Sequence, residues 1–377
     1  MKKILVIFGT RPEVIKMAPL VAALKKEKSF KTFVCSTGQH KEMLKQVSQI
    51  FNIKIDYELE LMKQNQDLFD ITIATNSKLK SLLEEVKPDV LLVQGDTTTA
   101  FVSALSAFYK KIKVGHVEAG LRSYNIYSPY PEEANRKFIS VITDFNFVPT
   151  QYSKRHLLAE GYPSKKIFVT GNTIIDALLQ IKSLVDSPKS QKEIKRKFKK
   201  IYPRNFLAKE FVLITMHRRE KFGEEFKKVL TTFKELAIKN PKLNFVYPVH
   251  LNPNVKIPVE TTLKDLTNFH LLPPLDYMSF IYLMNKCKFI MSDSGGVQEE
   301  CFVFRKPIIV LRDVTERMEA VDAGYAFLVG SNVNKIKKTF QSIKNNLDSG
   351  HNYFKGKNPY GDGKASDRIV QLLKKHL

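Results

Sequence analysis

Cysteine is scarce in this 377-residue chain: only Cys35, Cys287 and Cys301 are present. An odd count with no C-x-x-C pair argues against both a disulfide scaffold and a zinc site. Long apolar runs are also lacking. Ile4–Phe8 and Val90–Val93 are among the longest, whereas a membrane-spanning helix needs roughly 20 such residues. Lys2 and Lys3 followed by apolar residues resemble the start of a signal peptide, but Thr10, Arg11 and Glu13 interrupt the stretch too early. There is no Walker sequence, no metal-ligand histidine spacing, no short repeat and no low-complexity tract. These absences lead us to expect a soluble protein of a reducing cytoplasm, without membrane insertion. Acidic residues are in short supply too: Asp+Glu 38 against Lys+Arg 61 leaves a net charge of +23. A surplus of that size points to polyanions, whether nucleic acid, an anionic membrane or phosphorylated small molecules.

What is present suits a globular chain. Hydrophobic residues make up 43% and charged residues 26%, enough apolar surface to bury a core. The length suggests two domains, at roughly 150 residues each. Short β-rich apolar runs predict strands at Ile4–Phe8, Thr32–Cys35, Val90–Gln94, Lys113–Val117, Phe145–Val148 and Ile167–Val169. They lack polar alternation, as parallel strands buried on both faces do. Helical patterns at Glu13–Lys26, Thr97–Tyr109 and Tyr152–Glu160 lie between them. A second series follows, with strands at Phe211–Thr215, Phe245–Tyr247, Phe269–Leu271, Phe289–Met291 and Ile308–Leu311. Its helices are expected at Glu224–Lys239, Tyr277–Asn285, Val297–Phe304 and Arg317–Ala323. This order predicts two Rossmann-like, doubly wound α/β domains facing a central cleft. The Lys/Arg-dense stretch 189–209 between them reads as an exposed connection or solvated helix at the domain junction. A nucleic-acid arm is disfavoured, because no aromatic residues interleave with the charges.

Polar groups gather just past the predicted strand ends. Gly9-Thr10-Arg11-Pro12-Glu13-Val14-Ile15-Lys16 follows the first strand, and its helix N-terminus with Arg11 and Lys16 makes an anion site plausible. Gly95-Asp96 follows the third strand, and Gly115-His116-Val117-Glu118-Ala119-Gly120 spans the next. Pro131-Glu132-Glu133-Ala134-Asn135-Arg136 leads from a proline-stiffened loop into a helix. By itself Asp96 reads best as a cap or turn residue, and Glu132 and Glu133 as helix N-terminal acids. Several carboxylates at neighbouring strand ends suggest proton transfer near neutral pH, through raised pKa values. The second series offers His217-Arg218-Arg219, a phosphate clamp or a solvated loop. It also offers Ser294-Gly295-Gly296, whose backbone N–H groups suit an anion, with Glu300 one turn on for ribose hydroxyls. Phe280 reads first as a helix packing residue. Gly361-x-Gly363 follows no strand and is not a dinucleotide fingerprint.

In order along the chain, these motifs resemble the non-hydrolysing UDP-N-acetylglucosamine 2-epimerases, a bacterial family of GT-B fold. The resemblance rests on Phe8–Glu13 with Ile15–Leu20, Gly95–Thr99, Gly115–Arg122, Tyr127–Pro129 and Pro131–Arg136. It continues through Thr170–Thr173, His217–Glu220, Tyr247–His250, Asp293–Gly296, Thr315–Arg317 and Asn358–Gly363. It implies domains at 1–171 and 172–359, with a C-terminal helix in 360–377 packing back on the first. The implied activity is reversible interconversion of UDP-GlcNAc and UDP-ManNAc. UDP is eliminated to leave a bound 2-acetamidoglucal, then added back with the opposite C2 configuration, supplying ManNAc for surface polysaccharide. No cofactor and no metal is implied, and a homodimer is.

The resemblance assigns catalytic roles to Asp96, Glu118, Glu132 and His217, with the carboxylates moving protons and His217 on the diphosphate. Arg11 and Lys16 become substrate contacts. Ser294, Gly295, Gly296, Glu300 and Arg317 bind UDP, with Phe280 beside the uracil. Gln39, His40 and Gln66 fit the subsite where some members bind a second UDP-GlcNAc as activator. Gln94 stands where a His is common, and Met216 and Met318 also depart from the usual pattern. The alternatives are a hydrolysing 2-epimerase, an epimerase of another UDP-2-acetamido sugar, a glycosyltransferase of the same fold, or a polyanion-binding protein. The strand-end acids speak against the last.

Overall fold

The computed structural model describes residues 1–38, 47–61, 66–202, 205–216 and 223–377. Two units are apparent: Met1–Ala177 together with Tyr360–Leu377, and Leu178–Pro359. In the first, among the described residues, seven strands run β1 (Lys2–Phe8), β2 (Phe30–Ser36), β3 (Tyr57–Glu58), β4 (Val90–Gln94), β5 (Lys113–Val117), β6 (Phe145–Val148) and β7 (Ile167–Val169). Their order in the sheet is β3-β2-β1-β4-β5-β6-β7, and every pairing is parallel. The apolar runs read from the sequence are these strands except Tyr57–Glu58. Ile4 to Phe8 are at most 1% exposed, because a parallel strand carries helices on both faces and needs no polar side. Register pairs Ile4 with Val90 and Val6 with Leu92, so β1 and β4 are central neighbours reached by crossovers in opposite directions.

The second unit repeats the plan with β8 (Phe211–Thr215), β9 (Asn244–Pro248), β10 (Phe269–Leu272), β11 (Phe289–Ser292), β12 (Ile308–Val310) and β13 (Ala326–Leu328). Their order is β10-β9-β8-β11-β12-β13, again all parallel. Its core stacks Phe245 on Phe269 and on Phe340, with ring centroids 5.5 and 5.8 Å apart.

The Lys/Arg-dense stretch is a helix, Pro188–Ile201, lying wholly within the second unit. Ser187 caps it by accepting from the Ser190 N–H, and Pro188 begins it. Ile194 and Phe198, one turn apart, are its buried contacts. Each such side chain contributes roughly 2 kcal/mol of burial, enough to dock a helix whose lysines and arginine are all exposed.

The C-terminal residues complete the first unit. Asp176 accepts from the backbone N–H groups of Ala365 (3.2 Å) and Ser366 (2.8 Å), capping the helix Ala365–His376. The Asn172 N–H donates to the Tyr360 carbonyl at 2.7 Å, and Arg368 donates to the Thr170 carbonyl and to both Asp362 oxygens. Gly171 and Gly361 both have positive φ, and a Cβ on Gly361 would lie 3.3 Å from the Gly171 Cα. Thr170–Thr173 and the Tyr360–Asp362 part of the last motif therefore meet as a structural join within the first unit. Asp176→Ala is expected to lower the unfolding free energy by about 1–2 kcal/mol. Urea unfolding measures the loss, and hydrogen exchange should quicken first in Ala365–His376.

Candidate active site

At the carboxyl ends of β1, β4 and β5 the chain places its first cluster. The order of the sheet reverses between β1 and β4, which opens a crevice at their ends. Glu13 bridges it. One carboxylate oxygen accepts from the Gly9 N–H (3.1 Å), the Thr10 N–H (2.6 Å) and the Thr10 hydroxyl (2.7 Å). The other accepts from the Thr97 hydroxyl at 2.9 Å. Burial raises the Glu13 pKa above the ordinary carboxylate range, and these hydrogen bonds only partly oppose it.

Glu118 follows β5 directly. Its φ is +67°, the left-handed region that a non-glycine residue occupies only when its surroundings hold it there. Its carboxylate is held by Lys16 Nζ, 2.6 Å from each oxygen, and accepts from the Gln94 side-chain amide. Lys16 and Glu118 are both buried, so this is a charge-assisted contact away from bulk water. Two residues later Gly120, φ +83°, leaves no room for a Cβ, which would come within 2.5 Å of the Ser153 carbonyl oxygen.

Asp96 lies in the turn after β4. It does not cap the following helix, Thr98–Tyr109; Thr97 does, accepting from the Ala100 N–H. The Asp96 carboxylate instead meets the Arg136 guanidinium at 2.8 Å (Nε) and 2.7 Å (Nη2), and its carbonyl accepts from Asn135. Arg136 also contacts Glu133 at 2.8 Å, and Glu133 accepts from the Ser123 and Tyr124 N–H groups. Glu132 is half-buried on the first turn of the helix Glu132–Ile142, and Arg11 is half-buried at the start of Arg11–Lys26. Asp96, Glu118 and Glu133 each face a cation.

In the second unit the reversal falls between β8 and β11, and hydroxyls bridge it. Thr215 and Ser292 lie 2.6 Å apart, and the Ser294 N–H donates to Ser292. Ser294 then precedes the short helix Gly295–Glu300. A Cβ on Gly295 would fall 3.0 Å from the Arg317 guanidinium, so glycine is what lets Arg317 lie flat against this turn. Arg317 Nε meets Glu299 at 3.0 Å, and Nη1 meets Glu316 at 3.2 Å. Gly296 and Phe280 are half-buried, and Glu300 is buried. The Tyr247 hydroxyl donates to the Met216 carbonyl, and burial, reinforced by the Asp293 charge, pushes its pKa up. His250 is exposed at the end of β9 and accepts from the Asn252 N–H. Gln66 donates to the Leu61 carbonyl at 2.6 Å. Gln39, His40 and His217 lie outside the described residues.

The family profile for UDP-N-acetylglucosamine 2-epimerase matches residues 22–374. A protein of that name from Campylobacter jejuni is 48% identical over 373 residues, covering 99% of this chain and 97% of its own length. The chain belongs to the UDP-N-acetylglucosamine 2-epimerase family. The crystal structure of the Neisseria meningitidis UDP-GlcNAc 2-epimerase bound to UDP-GlcNAc superposes with a TM-score of 0.93, at 48% identity, over 99% of this chain and all of that one. The Methanocaldococcus jannaschii enzyme, in complex with UDP-GlcNAc and UDP, gives 0.85 at 34% identity, over 99% of each chain. Two doubly wound parallel-sheet units are the plan of the GT-B fold that the resemblance implied.

For a UDP-N-acetylglucosamine 2-epimerase family member, the sequence reading missed the groups that hold the site residues: Gln94 on Glu118, Arg136 on Asp96 and Glu133, Asn135 on the Asp96 carbonyl, and Glu299 on Arg317. Gln94 had a readable signal, a polar residue closing an unbroken apolar strand. Arg136 had another, its i,i+3 spacing from Glu133. Glu13→Gln tests the buried carboxyl. With its pKa raised in the fold, Glu13 binds more protons folded than unfolded. Wild-type stability should therefore fall as pH rises from about 4.3 toward the raised value. Urea titrations from acid to neutral pH should show the variant without this dependence, gaining on wild type as pH rises.

Proposed function

We propose that this chain interconverts UDP-GlcNAc and UDP-ManNAc without releasing free sugar. The C2–H and C1–O bonds break, UDP departs with the C1–O electron pair, and a 2-acetamidoglucal remains bound. UDP then re-adds at C1 while C2 is protonated on the other face. The observation that carries this reading is the match, along essentially the whole chain, to a structure bound to UDP-GlcNAc. The carboxylates at the β4 and β5 ends supply the acid–base groups that such chemistry needs.

In this reading Asp96, Glu118 and Glu132 move protons at C2, and Lys16 and Arg11 meet the substrate. Lys16 lies beside Glu118, 2.6 Å from its carboxylate oxygens. His217 acts on the diphosphate. Ser294, Gly295, Gly296, Glu300 and Arg317 hold UDP, with Phe280 beside the base. The product serves as a ManNAc donor for surface polysaccharide, in the cytoplasm.

We also assign the enzyme a homodimer. Phe69, Ile73, Phe138 and Val141 are each more than half exposed on the helices Leu68–Val86 and Glu132–Ile142, both of which pack on Thr98–Tyr109. So much exposed apolar surface suits a second copy. Sedimentation should give twice the 43.3 kDa chain mass, and Phe69→Glu with Val141→Glu should return the monomer.

NMR of UDP-GlcNAc with the pure enzyme in D2O tests the reaction. UDP-ManNAc should appear with deuterium at C2, and accumulation of free ManNAc would overturn the reading. Glu118→Gln and Asp96→Asn should each lower kcat by about 10²–10⁴-fold, while calorimetry shows UDP binding retained.

A further inference from the structure

His116 lies on β5, 1% exposed, paired in register with Val93 of β4 and with the buried Asn146 of β6. Its Nε2 is 2.7 Å from the Gly95 carbonyl oxygen. A carbonyl only accepts, so Nε2 carries the proton and the ring donates. In the neutral ring Nδ1 is a bare lone pair, and it has no hydrogen-bond partner among the described residues. Burial pushes the His116 pKa down to about 4, the Arg122 and Arg136 charges adding to it and Asp96 opposing it. The ring is therefore neutral across the working range of pH.

A histidine with one buried nitrogen unsatisfied costs stability that an apolar residue would not. What it provides is local. Gly95 has φ +72° and carries the turn from β4 to Asp96. Its N–H donates to the Val117 carbonyl at 3.0 Å, and its carbonyl accepts from His116. Both of its backbone polar groups are thus tied to β5. Asp96 is the next residue after Gly95, and Glu118 is the next after Val117. The two bonds fasten the backbone of one carboxylate to the backbone of the other.

We infer that His116 is a positioning residue, whose Nε2–H bond to the Gly95 carbonyl sets the spacing of Asp96 and Glu118 for proton transfer at C2. The inference rests on the proposed epimerisation. A displacement of about 1 Å at reacting groups costs about 10²-fold in rate, so the bond is felt in kcat rather than in binding. His116→Leu removes the donor at similar volume. His116→Gln keeps an amide N–H near the Nε2 position.

The test compares kcat and KM for UDP-ManNAc formation, UDP affinity by calorimetry and thermal unfolding in the three proteins. H116L should lose about 10²-fold in kcat with KM and UDP affinity near wild type. H116Q should recover most of that loss, although its melting temperature need not exceed that of H116L. An H116L with wild-type kcat would overturn the inference. So would an H116Q as slow as an H116L of equal melting temperature. Should H116L not fold, H116M takes its place. Wild-type protein that forms no UDP-ManNAc would refute the proposed activity and the inference with it. Wild-type turnover with an undiminished H116L would refute the inference alone.

Discussion

Parallel pairing is the constraint on which the rest depends. When every strand of a sheet points the same way, all carboxyl ends come to one edge, and residues far apart in sequence become neighbours there. In the first unit this brings Gly9–Glu13, Gln94–Thr97 and Glu118 together from β1, β4 and β5. In the second it does the same for Thr215 and Ser292. Both units bridge the point of reversal with side-chain oxygens, Glu13 to Thr97 in one and Thr215 to Ser292 in the other. These bridges satisfy polar groups where the backbone ladders stop, which is where unsatisfied groups would otherwise gather.

The electrostatics follow from that crowding. A chain with a net charge of +23 uses a few of its cations to hold acids in place. Lys16 meets Glu118, Arg136 meets Asp96 and Glu133, and Arg317 meets Glu299 and Glu316. These contacts are mostly buried and geometrically specific, unlike the surface pairs, which contribute little to stability. Elsewhere, as along Pro188–Ile201, the cations are exposed, and the surplus there reflects a solvated surface.

Buried parallel strands were legible because their signal is contiguous. Val90–Gln94, Lys113–Val117 and Phe211–Thr215 stand at the positions read from the apolar runs. Tyr57–Glu58 and Ala326–Leu328 were not read, since strands of two and three residues carry no pattern. The helix Leu68–Val86 escaped for another reason. It ends at Lys87, with φ +49°, where the usual stop signal would be glycine. Pro258 inside Pro253–Leu263 hid a second helix. At the candidate site the acids were legible from their place after the strands. Their partners were not, because the contact of Gln94 with Glu118, or of Arg317 with Gly295, is made by tertiary packing across tens of residues.

The tie between Asp176 and the amides of Ala365 and Ser366 has a consequence for how the molecule is made. A ribosome releases the first seven strands long before it reaches those amides. Until then the nascent sheet lacks the helix that covers Arg11–Lys26, and that helix keeps an apolar flank bare. The whole second unit is synthesised in the interval. The first unit to emerge is therefore finished only after the second has been made, when Ala365–His376 becomes available to it.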